Sequence, residues 1–237
     1  MSDCGWRQRT AHTRPNTPGR RSPPGALVLM LLVVGTGCDG RSALGDPSSA
    51  DFAEAAPDSF VARVLTSAGA FDMELHRSWS PAGVDRFFHL ARLGFYEGAR
   101  FYRVNDQYAQ FGFTGRPAMD TLWMTAGLPD EPVVGSNERG AVSFARGGPG
   151  SRSFILFINR SSNTHLDALE WRDVMGFPPI GRVRAGMDVV DGLYDGYGEE
   201  PLLLEDSISS GGNEFLDRRF PRLDSIVAIE IIDDRDG

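Results

Sequence analysis

Phe101-Tyr102-Arg103-Val104 and, after a short gap, Tyr108-Ala109-Gln110-Phe111-Gly112 form the stretch on which the reading of this chain turns. Apolar and polar residues alternate there as in a half-buried strand, and Asn105-Asp106 between the runs is a good turn pair. One arginine stands among aromatic and branched neighbours. Desolvating a guanidinium costs free energy unless something needs its fixed fork of donors, which makes Arg103 a candidate functional group. The plain alternative is a strand arginine on the solvent face.

Working outward, Phe60 to Thr66 and Phe71 to Leu75 alternate around Ser67-Ala68-Gly69 and predict a hairpin. Ser80-Pro81 reads as a helix start and Gly94 as its stop, with Val84, Phe87, Phe88 and Ala91 forming an apolar face at helical spacing. Residues 114 to 138 hold no clear element. Strands are predicted again over Ala141 to Ala145, Phe154 to Ile158, Ile180 to Val183 and Ser225 to Ile232, with a short helix over Ala185 to Leu193. Many strands, two helices and Gly/Pro-rich loops predict a mainly β fold, a closed antiparallel barrel capped by two helices.

The order of the remaining motifs adds a family to this outline. After the Arg103 stretch come Val142-Ser143-Phe144-Ala145-Arg146-Gly147-Gly148-Pro149-Gly150-Ser151-Arg152, then Leu156-Phe157-Ile158-Asn159, then Asn163-Thr164-His165-Leu166-Asp167. Gly176-Phe177-Pro178-Pro179-Ile180-Gly181-Arg182-Val183 and Gly186-Met187-Asp188-Val189-Val190-Asp191 follow. Over roughly residues 59 to 232 this series resembles the cyclophilin-type peptidyl-prolyl cis-trans isomerases. The Phe220 to Ile226 tail, Phe-Pro-x-Leu-Asp-x-Ile, resembles the exported bacterial branch.

The resemblance implies an isomerase of X-Pro bonds that works on proline-containing polypeptides without a cofactor or a metal, expected as a monomer. It casts Arg103 as the electrostatic catalyst and Gln110 as its buttress. Phe157 becomes the floor of the proline pocket, with Leu166, Phe177 and Ala145 around it and His165 where animal relatives carry a tryptophan that grips cyclosporin. Several positions depart from the family. The Arg103–Gln110 interval is one residue short, so either Gln107 or Tyr108 takes the place of a second pocket aromatic. Ile155 replaces a substrate-contacting glutamine, Arg146 replaces a small or amide residue, and Phe177 replaces a histidine. Ala168 to Gly176 is longer than the usual turn and carries Trp171, as a lid or an ornamented loop. These departures motivate a second reading, a cyclophilin-like module that binds proline-containing chains without turnover.

The N-terminus carries an address. Arg14, Arg20 and Arg21 precede an apolar run from Ala26 to Val34, and Gly35-Thr36-Gly37 stand before Cys38. The run is too short for a comfortable bilayer span. Residues 1–37 therefore read as a signal peptide of lipoprotein type, with Cys38 the lipidation site, 38–57 a flexible tether and 58–237 the folded domain. The expected location is the cell envelope, on the extracytoplasmic face of a membrane. Cleavage there would remove five arginines and Asp3, taking the formal charge from -8 to -12. So acidic a body excludes nucleic-acid binding through bulk electrostatics. With Cys4 removed and Cys38 acylated, no thiol or disulfide chemistry remains.

Other chemistries find no footing. All 24 basic residues are arginine, so no lysine nucleophile, Schiff base or Walker-type loop exists. His12, His76, His89 and His165 lack metal-ligand spacing. No Gly-x-Ser-x-Gly elbow occurs. The acidic cluster Glu199-Glu200 and Glu205-Asp206 reads as a solvated loop.

Overall fold

The structure is a computed structural model that describes residues 40–232. The signal peptide and Cys38 lie outside the described residues. The predicted hairpin is present as β1 (Ser59–Thr66) and β2 (Gly69–His76), paired antiparallel from Ser59↔His76 to Thr66↔Gly69. Helix α1 (Pro81–Arg92) follows with proline in its first turn, where a missing N–H costs nothing. Its predicted face of Val84, Phe87, Phe88 and Ala91 is buried, and the helix packs on the sheet.

The Arg103 stretch forms β3 (Arg103–Val104) and β4 (Tyr108–Phe111), followed by α2 (Pro117–Met124), β5 (Ala141–Phe144) and β6 (Leu156–Asn159). A small separate hairpin, β7 (Glu170–Trp171) and β8 (Val174–Met175), precedes β9 (Pro179–Ala185). The described residues end with α3 (Met187–Asp191), α4 (Glu205–Arg219) and β10 (Ile226–Ile232). Eight strands make one curled antiparallel sheet in the order β10-β1-β2-β9-β5-β6-β4-β3.

The expected closed barrel is corrected to an open one. β3 and β10 are the two ends of the sheet and share no ladder. Among the described residues a single bridge, Arg100↔Ser225, and three backbone hydrogen bonds join the segment before β3 to the start of β10 and the residues before it: Gly98 N to Ile226 O, Ile226 N to Ala99 O and Phe101 N to Asp224 O. β3 is two residues long, too short to run along a partner.

Two helices lie where none was read. α2 falls in the stretch that showed no element; its eight residues are too few for a clear period, and Pro117 and Asp120 define it instead. Asp120 accepts hydrogen bonds from the Thr114 N–H and hydroxyl, both at 2.8 Å. α4 is poor in helix formers, and it owes its place to burial of Ile208 and Leu216. It bends at Gly212, which has φ +56° and whose missing Cβ would stand 2.4 Å from the Gly115 carbonyl oxygen, so α4 reaches α2 only through a glycine.

The flexible tether is a second correction. Its described part, from Gly40 to Pro57, is docked on the domain. Two 3₁₀ turns, Gly40–Gly45 and Ala50–Phe52, carry it, and Leu44 and Ala56 are buried. The wholly buried Trp123 donates its indole N–H to the Leu44 carbonyl at 2.9 Å, and Asp85 accepts from the Ala56 N–H at 2.9 Å. Phe52 meets both Trp123 and His89 edge-on. Composition hides this, because the segment supplies carbonyls that buried rings elsewhere need. Leu44→Ala should lower the unfolding free energy by about 2 kcal/mol in a urea titration. An unchanged midpoint would restore the free tether.

Candidate active site

Register alone assembles the centre of the site. Arg103 pairs with Gln110 across β3 and β4, Gln110 pairs with Phe157 across β4 and β6, and cross-strand partners face the same side. Tyr108, two residues before Gln110, shares that face. These side chains line a groove of about 470 Å³ together with Ala145, Leu166 and Phe177. Seven of the eight residues expected at the catalytic and substrate-binding positions are thus brought together. His165 is not: it sits on the exposed side of the 3₁₀ turn Thr164–Asp167, outside the lining. Of the two candidates for the pocket aromatic, Tyr108 lines the groove and Gln107 is exposed.

The apolar part of the groove is a set of edge-on rings. Phe157 meets Tyr108 at 5.4 Å and Phe177 at 6.1 Å between centroids, geometries in which the ring quadrupoles attract. Ile155, in place of the family glutamine, extends the apolar wall. A polar network beneath fixes the loop residues. Asp167 accepts from the Asn137 N–H and side-chain amide, each at 2.8 Å, and from the Ser136 hydroxyl at 2.5 Å. Asn137 also donates to the Phe177 carbonyl at 2.8 Å, and the Phe177 N–H donates to the Leu166 carbonyl at 3.0 Å. Burial alone would raise the Asp167 carboxyl, but the hydrogen bonds from Ser136 and Asn137 outweigh it and hold it below the usual range.

Arg103 is held on three sides. Its Nη1 donates to Gln110 Oε1 at 3.2 Å, and its Nε lies 3.0 and 2.9 Å from the two carboxylate oxygens of Glu199. Its guanidinium also lies 4.8 Å from the Tyr108 ring centroid. Among the described residues Nη2 donates no hydrogen bond. Gln110, in turn, donates from Nε2 to the Tyr102 hydroxyl at 2.5 Å, and that hydroxyl donates to Glu205 Oε1 at 3.0 Å. Burial pushes the Tyr102 phenol well up, pushes the Glu205 carboxyl up, and raises Tyr108 as well.

Glu199 and Glu205 are the functional-site residues that sequence reasoning missed, along with Leu202 and Met124 in the lining. The acidic cluster taken for a solvated loop contributes one carboxylate to Arg103 and another to the buried Tyr102. No local signal marks them, since both depend on α4 folding back over β3. Asn105, a turn residue by its sequence, also donates to Glu199.

The longer segment Ala168 to Gly176 is the β7–β8 hairpin, turned through Arg172 and Asp173, both at positive φ. Arg146 ties it down. Its guanidinium donates to the carbonyls of Trp171, Val174 and Gly176 at 3.0, 2.9 and 2.5 Å and lies 4.3 Å from the Phe177 ring centroid. Trp171 then completes one rim of the groove. Behind the opposite wall the buried Arg152 donates to Ser80 and Glu131, at 3.1 and 2.8 Å.

An arginine donor beside an aromatic-lined groove on a curled antiparallel sheet is an arrangement able to take an apolar ring with a polar edge. Residues 61–212 match the family model described as cyclophilin type peptidyl-prolyl cis-trans isomerase/CLD, and the chain belongs to that family. It is 32% identical over 131 residues to the peptidyl-prolyl cis-trans isomerase cyp18 of Streptomyces antibioticus, covering 54% of this chain and 79% of the relative. To the peptidyl-prolyl cis-trans isomerase of Acinetobacter baylyi it is 31% identical over 133 residues, covering 55% and 70% respectively. The fold is similar to a Cryptosporidium parvum cyclophilin type peptidyl-prolyl cis-trans isomerase, with a TM-score of 0.54 at 18% identity over 74% of this chain and 99% of that one. A further structure of that protein was solved in the presence of dipeptide ala-pro, with a TM-score of 0.50 at 19% identity over 73% and 99% of the two chains.

Arg146→Gln removes most of the clamp on the β7–β8 hairpin. The expected result is a loss of about 2 kcal/mol in unfolding free energy, with faster tryptic cleavage after Arg172 under native conditions. Unchanged protection of Arg172 would mean that the hairpin holds itself.

Proposed function

We propose that this isomerase accelerates X-Pro isomerisation in flexible polypeptide segments outside the cytoplasm, assisting their folding while anchored to a membrane through a lipidated Cys38. The observation that carries the catalytic reading is the row Arg103–Gln110–Phe157, which sets a fixed donor beside an aromatic floor.

The barrier to isomerisation is the partial double bond of the imide, roughly 18–20 kcal/mol. Twisting the bond breaks conjugation and returns a lone pair to the nitrogen, which can then accept a hydrogen bond that the planar imide cannot. A donor aimed at that nitrogen stabilises the twisted form alone, which is the condition for acceleration. Phe157, Leu166, Phe177 and Tyr108 take the proline ring and hold it by apolar burial. Arg103 supplies the donor, always charged and already oriented by Gln110 and Glu199. No covalent bond to the protein forms and no proton needs to be transferred.

The location rests on the sequence: a basic start, the Ala26 to Val34 apolar run and small residues before Cys38. Cys38→Ser should move the chain from the membrane fraction to the soluble envelope fraction and abolish incorporation of labelled fatty acid. Membrane retention of that variant would remove the lipid anchor.

For catalysis, the cis-to-trans rate of an Ala-Pro peptide is measured with the purified chain and with Arg103→Ala. The variant should lose kcat/KM by about 10²–10³-fold, the usual cost of one preorganised donor. A folded wild type that gives no acceleration would leave the proline-binding module, the reading that Ile155 motivates.

A further inference from the structure

The hydrogen bonds that lead away from Arg103 have a direction. A guanidinium only donates, an ionised carboxylate only accepts, and a phenol and a primary amide can do either. Here the donor-only group, Arg103, stands at one end and the acceptor-only group, Glu205, at the other. Gln110 and Tyr102 lie between them, and Tyr102 is wholly buried. With Glu205 ionised, the Tyr102 proton must point to Glu205, so the phenol oxygen must accept from the Gln110 amide nitrogen. That fixes the Gln110 carbonyl toward Arg103, where an acceptor is needed.

We infer that Glu205 is a positioning residue of this isomerase: through Tyr102 it sets which way the Gln110 amide faces and so holds the catalytic guanidinium. The inference deepens the isomerase reading and rests on it. A neutral group at position 205 can donate as well as accept. Tyr102 is then able to turn its proton to Gln110, the amide flips, and its NH₂ meets the guanidinium donor to donor. Protonating Glu205 has the same consequence as replacing it by glutamine. Burial raises this carboxyl above the usual range, so on acidification it takes up its proton before an ordinary exposed carboxylate does. The charged and titratable groups around it are Tyr102 and Arg103 from the β3 side, Asp206 next along α4, and Glu199 on the far side of Arg103.

The test uses the full chain and an Ala-Pro peptide across an acid-to-neutral pH series. At neutral pH Glu205→Gln should lower kcat/KM roughly five- to tenfold, the factor for one misdirected hydrogen bond. The wild type should fall toward the variant as pH drops, so that the two curves meet, and the variant should show no acid limb of its own. Glu199→Gln should keep that limb, which separates the two carboxylates. In a Tyr102→Phe background Glu205→Gln should add no further loss, because the connection is already cut. The side-chain amide resonances of Gln110 should shift as the wild type is acidified and stay still in Glu205→Gln, a readout independent of turnover. A variant with wild-type kcat/KM and acid limb, additive losses in the double variant, or Gln110 resonances indifferent to position 205 would each overturn the inference. A wild type that fails to turn over, with Gln110 still responding to Glu205, would sink the isomerase reading and leave the connection standing.

Discussion

The rest of the structure depends on keeping a permanent cation at the edge of an apolar groove. Arg103 cannot escape its charge by releasing a proton, and the rings of Tyr108 and Phe157 beside it solvate it poorly. The sheet answers with short-range partners. Register brings Gln110 opposite, the fold-back of α4 and its preceding loop brings Glu199, and the Tyr108 face takes part of the charge. The partners arrive from β4, which carries Gln110 and Tyr108, and from the loop before α4, which carries Glu199, so the position of the guanidinium reports the correct assembly of β3 with both of them. The geometry of the guanidinium and the tertiary fold are therefore one constraint.

The strengths of these contacts are graded. Glu199 is 47% exposed at its side chain, and an ion pair in that setting is worth about 0–1 kcal/mol. Gln110 and Tyr102 are buried, and their hydrogen bonds cannot be traded for water, so misdirecting one of them costs more than losing Glu199. Arg103 is thus held by a weak outer contact and a rigid inner one.

Legibility in the sequence followed the range of the interactions. The β1–β2 hairpin, α1 and the β3–β4 pair are written in local alternation and helical spacing, and Arg103, Gln110 and Phe157 meet by strand register once those pairings are made. Leu166 and Phe177 came from the ordered motifs and not from period. What stayed hidden depends on distant chain. Leu44 is buried because Trp123 needs an acceptor, and α4 stands because Gly212 lets it approach α2. Glu205 reads as solvated until α4 carries it to Tyr102. His165 failed for a related reason: a position in a motif fixes the turn, Thr164–Asp167, but not which of its side chains faces inward, and Leu166 took that place.

The departures from the family pattern gather where this chain adds structure. Arg146 would be a costly replacement for a small residue if it stood alone beside the groove. It stands instead under the β7–β8 hairpin, where three backbone carbonyls need a donor that no side chain of the hairpin supplies. The arginine and the longer segment are thus one change, each making the other tolerable. The same logic joins Glu205 to Tyr102, since a half-buried carboxylate without that hydroxyl would be left with fewer donors. Trp171 and Leu202 line the groove, and Arg146 bonds the hairpin that carries one while Glu205, three residues after the other, bonds Tyr102.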